Sequence, residues 1–178
     1  MDPVIDVTLR TALALLFSVA AGHKLQDLGR FRATLVEYRL LPAGLVPLAA
    51  ALVVAVEVAA AGALLVPGAR AAGLVSAATL LVVYGAAVAI NLARGRRHID
   101  CGCAGPAGRR PISGALVARN AALAALALAG LVPVRPRALL WVDGLTVAGA
   151  TWALAAVYAS LERVIAYAPG LSRVRGDA

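Results

Sequence analysis

The sequence predicts an all-α integral membrane protein, with a bundle of four transmembrane helices, a fifth span and an interfacial amphipathic helix. Hydrophobic residues make up 62% of the 178 residues and charged residues 15%, whereas a soluble domain is roughly half apolar and about a quarter charged. The mean hydropathy is +0.87. The apolar residues are gathered into five long runs, and the stretches between these runs hold most of the charge and proline.

The five runs cover residues 4–21, 43–66, 71–93, 112–132 and 139–161. Each approaches the length of about 20 residues that a helix needs to cross a bilayer. Turn-forming prolines stand near most of the run ends: Pro42, Pro47, Pro67, Pro111, Pro133 and Pro136. We expect one membrane domain over residues 1–168 and a basic tail at 169–178. The acidic start lacks the positive charge of a secretory signal, so we expect the first run to be retained.

The connection between the first two runs has a pattern of its own. From residue 27 to residue 41, five apolar side chains follow helical spacing: Leu28, Phe31, Leu35, Tyr38 and Leu41. This pattern predicts a short amphipathic helix in the headgroup region. The alternative is a polar loop that is apolar only in places.

The net charge of +8 favours a membrane over nucleic acid, because the basic residues stand between apolar runs and form no single binding face. With five spans, one side of the membrane receives twelve basic residues and the other three. The richer side holds Lys24, Arg30, Arg32, Arg39, Arg94, Arg96, Arg97, Arg109, Arg110, Arg163, Arg173 and Arg175; the poorer side holds Arg70, Arg135 and Arg137. The positive-inside rule then predicts a multi-pass protein of the bacterial cytoplasmic (inner) membrane, with residues 94–111 in the cytoplasm.

That same connection holds the chain's only two cysteines, Cys101 and Cys103, in the run Asp-Cys-Gly-Cys. A disulfide between them would close a small, strained ring that is readily reduced, which favours a redox-active dithiol. Nearby basic residues, including Arg94, Arg96 and His98, would favour the reactive thiolate, and Asp100 would oppose it. The alternatives are a soft-metal site of Cys101, Cys103 and His98, a structural disulfide, or two incidental thiols.

Other polar residues stand within or at the ends of the apolar runs. Arg10 and Glu57 have similar predicted depths from the same face, so we expect them to form a buried pair, either structural or involved in proton or ligand handling. A second group lies nearer the cysteines: His23, Lys24, Asn91, Arg119 and Asn120. These side chains either form a polar pocket beneath the dithiol or reach out to the interface.

Several of these segments together resemble a known family. They are His23-Lys24-Leu25, Phe31, residues 37–42 (Glu-Tyr-Arg-Leu-Leu-Pro), Glu57, residues 91–96 (Asn-Leu-Ala-Arg-Gly-Arg), residues 100–105 (Asp-Cys-Gly-Cys-Ala-Gly), Ile112-Ser113 and Arg119-Asn120. Over roughly residues 10–131, the chain resembles the methylamine utilisation protein MauE family, within the DoxX-like group of redox-associated membrane proteins. Ala104, where a bulkier residue is expected, and the fifth span depart from the family pattern.

The resemblance implies a four-helix membrane core and a role in maturing methylamine dehydrogenase, whose small subunit is rich in disulfides, alongside a thioredoxin-like partner. The sequence thus favours thiol–disulfide exchange or electron delivery that supports the maturation or redox protection of other proteins. Because one dithiol cannot carry electrons across a bilayer alone, a quinone or a thioredoxin-like protein would accompany it. A homo-oligomer is compatible with this function. The alternatives are a soft-metal or small-ion transporter and a non-catalytic assembly subunit.

Overall fold

The computed structural model describes residues 1–101 and 111–176, with side chains described as far as residue 164. The described residues form six helices: α1 (Pro3–Gln26), α2 (Leu28–Tyr38), α3 (Val46–Leu65), α4 (Arg70–Ala93), α5 (Gly114–Ala129) and α6 (Trp141–Gly176). The predicted all-α class is confirmed. Within the part of the chain that the structure describes, four segments are long and apolar enough to cross a membrane: Pro3–Gln26, Ala43–Leu65, Pro67–Ala93 and Trp141–Val164. The chain is a multi-pass membrane protein.

The chain divides into two compact units, one of Leu9–Pro133 and the other of Met1–Thr8 with Val134–Ala178. The larger unit contains a core of four packed helices, of which α1, α3 and α4 belong to the candidate membrane spans and α5 is a shorter apolar helix. Its main cluster of buried residues draws on α1, α3, α4 and α5, with small alanines between larger side chains; examples are Phe17, Leu64, Leu74 and Ala124. Small residues let the helix backbones approach closely, which is how helices associate in a membrane. The prediction of a single domain over residues 1–168 stays a prediction.

α5 is shorter than the run that predicted it. It has 16 residues, a length of about 24 Å at the usual helical rise, whereas the predicted span covered residues 112–132. The difference begins at Ile112, whose backbone N–H donates to the carbonyl of Ile99 at 3.0 Å. An isolated bridge between Asp100 and Pro111 lies beside it. These contacts keep residues 111 and 112 extended, so the helix starts only at Gly114.

The predicted amphipathic helix is present as α2. Asp27 caps its start, because the Asp27 carboxylate accepts a hydrogen bond from the Arg30 backbone N–H at 2.9 Å. The apolar side of α2 packs on the first half of α3, where Phe31 meets Ala50 and Val54. The helix ends at Tyr38, and the capping residue Arg39 has a left-handed backbone (φ 47°) that turns the chain towards α3. Packing on α3, and not the bilayer interface alone, therefore holds α2.

The smaller unit contains α6, whose side chains from residue 141 to residue 164 are all at least partly exposed. Arg137 lies just before this helix and donates to Asp143 at 2.9 Å and to Asp2 at 3.4 Å. The Val4 backbone N–H and the Arg137 guanidinium hold the pKa of Asp2 below its ordinary value. α6 continues to Gly176, so the predicted tail at 169–178 begins as helix.

Candidate functional site

Cys101 lies just after Ile99 and Asp100, in a segment that is hydrogen-bonded to the residues immediately before α5. Ile99 and Ile112, which share the backbone hydrogen bond described above, are both buried in a second apolar cluster with Tyr38, Val88 and Leu116. The half-buried Cys101 side chain packs against this cluster. Cys103 lies outside the described residues. The structure therefore gives the first cysteine a defined apolar setting beside the bundle.

Two contacts join the connections at residues 22–42 and 94–111, which the charge pattern assigned to one side of the membrane. Arg30 in α2 donates to the carboxylate of Asp100 at 2.8 Å. Arg94, at the end of α4, donates to the carbonyl of Arg39 at 3.4 Å. The end of α1, α2 and the cysteine segment thus meet at one end of the bundle. At the opposite end, Arg70 donates to the carbonyls of Gly130 and Val132.

The predicted thiolate-tuning residues occupy different positions. Arg94 makes the contact with Arg39 just described. Arg96 is half-buried, and its backbone N–H donates to the Asn91 carbonyl at 3.0 Å. His98 is exposed and, with Arg96 and Ile99, lines an open cleft of about 350 Å³ together with Glu37 and Arg39. The structure thus places Arg96 and His98 around one cleft beside the cysteine segment.

The proposed pocket residues lie on the helices nearest the cysteine segment. Asn91 is fully buried in the last turn of α4, where its side-chain NH₂ donates to the Ala87 carbonyl at 3.0 Å. Its side-chain oxygen has no hydrogen-bond partner among the described residues. Asn120 is buried in α5, where its Cβ packs close to Gly85, and its side-chain oxygen accepts from Arg119 at 3.5 Å. These residues line the α4–α5 contact, and their role as one pocket stays a prediction.

A separate charged cluster lies inside the bundle and ties four helices together. The Lys24 ammonium of α1 donates to the Glu57 carboxylate of α3 at 2.6 Å. The Tyr84 hydroxyl of α4 donates to the same oxygen at 2.7 Å. The ammonium also lies 5.4 Å from the ring centre of Phe31 in α2 and 5.3 Å from that of Tyr84, both within the range of cation–π attraction.

The predicted pair of Arg10 with Glu57 is wrong. Glu57 pairs with Lys24 instead, and Arg10 donates to the backbone carbonyl of Leu64 at 2.7 Å. Depth along a helix does not fix which face a residue occupies. Arg10 and Lys24 are fourteen residues apart on α1, and Glu57 and Leu64 seven apart on α3, so each couple shares one helix face. These faces of α1 and α3 therefore contact each other at two heights along the helices. Arg10 contacts Leu64 at one height, and the flexible Lys24 side chain reaches the Glu57 carboxylate at the other.

The Lys24 side chain is only 2% exposed and lies in the charged cluster, and its predicted part in a pocket near the cysteines stays a prediction. His23, next to it, is half-buried, and its Nδ1 has no hydrogen-bond partner among the described residues. The sequence patterns did not assign Tyr84 or Arg30 to either site. A tyrosine in the middle of an apolar span was a usable signal, since a buried phenol hydroxyl needs a partner. Nothing in the sequence alone links Arg30 to Asp100, seventy positions away.

A metal site receives no support within the described residues, where no three His, Cys, Asp or Glu side chains are grouped to hold an ion. Since Cys103 lies outside them, the alternative site of Cys101, Cys103 and His98 stays a prediction.

The model of the family described as methylamine utilisation protein MauE matches residues 2–133, which include α1 to α5. The chain belongs to the MauE family. It is 41% identical over 166 residues to the methylamine utilization protein MauE of Paracoccus denitrificans, covering 90% of this chain and 88% of that protein. It is 38% identical over 154 residues to the protein of the same name from Methylophilus methylotrophus, covering 86% and 79%. The MauE of Paracoccus versutus is 41% identical over 135 residues, covering 74% and 72%. No solved structure matches the chain.

Proposed function

We propose that this MauE-family protein performs thiol–disulfide exchange at the membrane in support of methylamine utilisation, with Cys101 and Cys103 as the exchanging pair. The observation that carries the proposal is the setting of Cys101. Cys101 is the first of only two cysteines in the chain, and it follows Asp100, whose carboxylate is paired with Arg30. The Cys101 side chain packs against a buried apolar cluster of the bundle. Its relatives are named for methylamine utilisation, and we extend that process to this chain.

The exchange conserves electrons and atoms. A thiolate of a partner dithiol attacks one sulfur of the Cys101–Cys103 disulfide, which forms a mixed disulfide and releases the other cysteine as a thiolate. The second partner thiolate then displaces the bound cysteine. The partner leaves as a disulfide, and Cys101 and Cys103 hold the two electrons as a dithiol. A thioredoxin-like disulfide or a quinone reoxidises the pair by accepting those two electrons, and the thiol protons pass to water or to the quinone.

Several residues would assist this exchange. Arg94 and Arg96 add positive charge around the cysteine segment and so favour thiolate, and His98 lies beside that segment as a third residue that would tune the thiols. Asn91, Arg119 and Asn120 would shape the protein beneath the dithiol, with His23 nearby. The charged cluster of Lys24, Glu57 and Tyr84 has a different task in this proposal. It holds α1, α3 and α4 together beneath α2, since a buried ion in a membrane is stable only with a partner.

A redox titration of the purified chain tests the proposal. The strained Cys-Gly-Cys ring and the nearby arginines predict a disulfide that is oxidising relative to cytosolic thiols. Thiol labelling across a glutathione series should therefore show a two-electron transition above the thioredoxin potential of about −270 mV. The Cys101→Ser variant, with one remaining thiol, should show no such transition. A pair that stays oxidised where thioredoxin is reduced would contradict the proposal.

A further inference from the structure

We infer that Arg30 is a positioning residue for Cys101, because it pairs with the carboxylate of the preceding residue, Asp100, and so influences how readily the Cys101 thiol ionises. This role rests on the proposed function. In the sequence, Arg30 was notable only as one of the basic residues on one side of the membrane. The Arg30 guanidinium and the Asp100 carboxylate are 2.8 Å apart, with side chains that are 32% and 9% exposed. Cys101 is the next residue along the chain.

The backbone of Arg30 is fixed on both sides. Its N–H donates to the Asp27 cap at 2.9 Å, and its carbonyl accepts from the Thr34 hydroxyl at 3.1 Å. The next residue, Phe31, is buried against α3 and faces the Lys24 ammonium. α2 therefore presents Arg30 from a rigid position, and the guanidinium does not depend on a mobile loop.

The other partner is fixed as well. Asp100 follows the buried Ile99, whose carbonyl accepts a hydrogen bond from the Ile112 backbone N–H. Asp100 itself forms an isolated β-bridge with Pro111. Cys101 then packs against the apolar cluster around Tyr38. The carboxylate and the thiol are thus held on one short pinned segment. A change in charge at residue 100 is therefore expected to act on the neighbouring thiol at residue 101, since partial burial weakens screening by water.

If Arg30 acts through its charge, removal of Arg30 and removal of the Asp100 charge should change the thiolate fraction of Cys101 in opposite directions. Without Arg30, the Asp100 carboxylate loses this counter-charge and more strongly disfavours a second negative charge on Cys101. Without the Asp100 charge, the Arg30 cation remains near Cys101 with no carboxylate at residue 100 to offset it, and so favours the thiolate. A purely structural tether would behave differently, because removing either partner breaks the same bond and would change Cys101 in the same direction.

The experiment measures the reactivity of Cys101 in the full chain, purified in detergent, with Cys103→Ser as the common background. The alkylation rate at neutral pH reports the thiolate fraction, and the ultraviolet absorbance of the thiolate during a pH titration provides a second readout. Arg30→Gln should lower the rate by about three- to tenfold, and Asp100→Asn should raise it by a similar factor. The double variant should lie within about twofold of the background, since both charges are gone.

Two controls make the outcome specific. Arg32→Gln removes the same charge from an exposed position two residues along α2, and its alkylation rate should stay near that of the background. Arg30→Lys keeps the charge and should recover most of the rate. The inference fails if both single variants move in the same direction, or if Arg30→Gln behaves like Arg32→Gln. Failure of the proposed function looks different: the wild-type chain would show no two-electron transition, whatever the alkylation rates are.

Discussion

Glu57 accepts hydrogen bonds from Lys24 at 2.6 Å and from Tyr84 at 2.7 Å on the same carboxylate oxygen, inside the helix bundle. The other Glu57 oxygen is buried and has no hydrogen-bond partner among the described residues. The Lys24 and Glu57 side chains are only 2% and 0% exposed. The pair therefore joins α1 to α3 where water cannot replace either partner, and each charge depends on the other.

Removal of one partner of this pair should destabilise the protein strongly. Lys24→Met or Glu57→Gln alone should lower the free energy of unfolding by about 3–5 kcal/mol, because each leaves a buried polar or charged group without its partner. The combination of Lys24→Met with Glu57→Leu should recover much of the loss. Denaturant unfolding in detergent measures these differences. As a control, Arg137→Gln breaks an exposed pair and should change stability by less than about 1 kcal/mol.

The same variants separate a structural pair from a functional one. If the pair only holds the helices together, the double variant should regain thiol–disulfide exchange along with stability. A double variant that is stable and yet inactive in exchange would contradict the structural assignment and give the charges a part in the reaction.

A second prediction concerns the close approach of α3 and α4. A methyl group at Gly73 would lie 2.7 Å from the Leu64 backbone nitrogen and 2.9 Å from the Ala63 carbonyl carbon. Since backbone atoms cannot move aside cheaply, Gly73→Ala should destabilise the protein by about 1–3 kcal/mol. Gly62 in α3 is the matched control, because a methyl group there meets nothing within 4 Å. If Gly73→Ala unfolds at the same denaturant concentration as Gly62→Ala, the two helices do not pack as described.

The sequence predicts the positions of the helices better than the partners of the buried polar side chains. Apolar runs and flanking prolines predicted most helix ends to within a few residues. The exceptions are the end of α1, which continues through the polar His23 and Lys24 to Gln26, and the end of α6, which continues from the predicted residue 161 to Gly176. The helical period between residues 27 and 41 predicted α2. The partner of Glu57 could not be predicted in the same way, because run length gives depth but not rotation about the helix axis. The Arg30–Asp100 contact joins residues far apart in sequence and needs the folded bundle.

We predict the side of the membrane that holds the cysteines from the charge distribution. The buried Lys24 no longer counts as a loop charge, which leaves eleven basic residues against three. The positive-inside rule then predicts that thiol reagents unable to cross the membrane label Cys101 and Cys103 only after cells are permeabilised.

The control for this labelling is a chain without its own cysteines that carries Arg135→Cys, in the connection predicted on the other side. That variant should be labelled in intact cells. Labelling of the native cysteines in intact cells would reverse the topology and place the exchange outside the cytoplasm, where protein disulfides commonly form.

If Cys101 and Cys103 exchange disulfides with a partner protein, a mixed disulfide between the two proteins must form. Trapping this mixed disulfide is the most direct test. Serine at one cysteine removes the thiol that resolves the mixed disulfide, so exchange stops midway. Cys101→Ser and Cys103→Ser are each expressed in cells, quenched with a thiol-blocking reagent and examined on non-reducing gels, with the double variant as control. We predict a reducible adduct of higher mass in one of the two single variants and none in the double variant. No adduct in either single variant, together with about one soft metal ion per wild-type chain that both variants lose, would contradict the claim and favour metal binding.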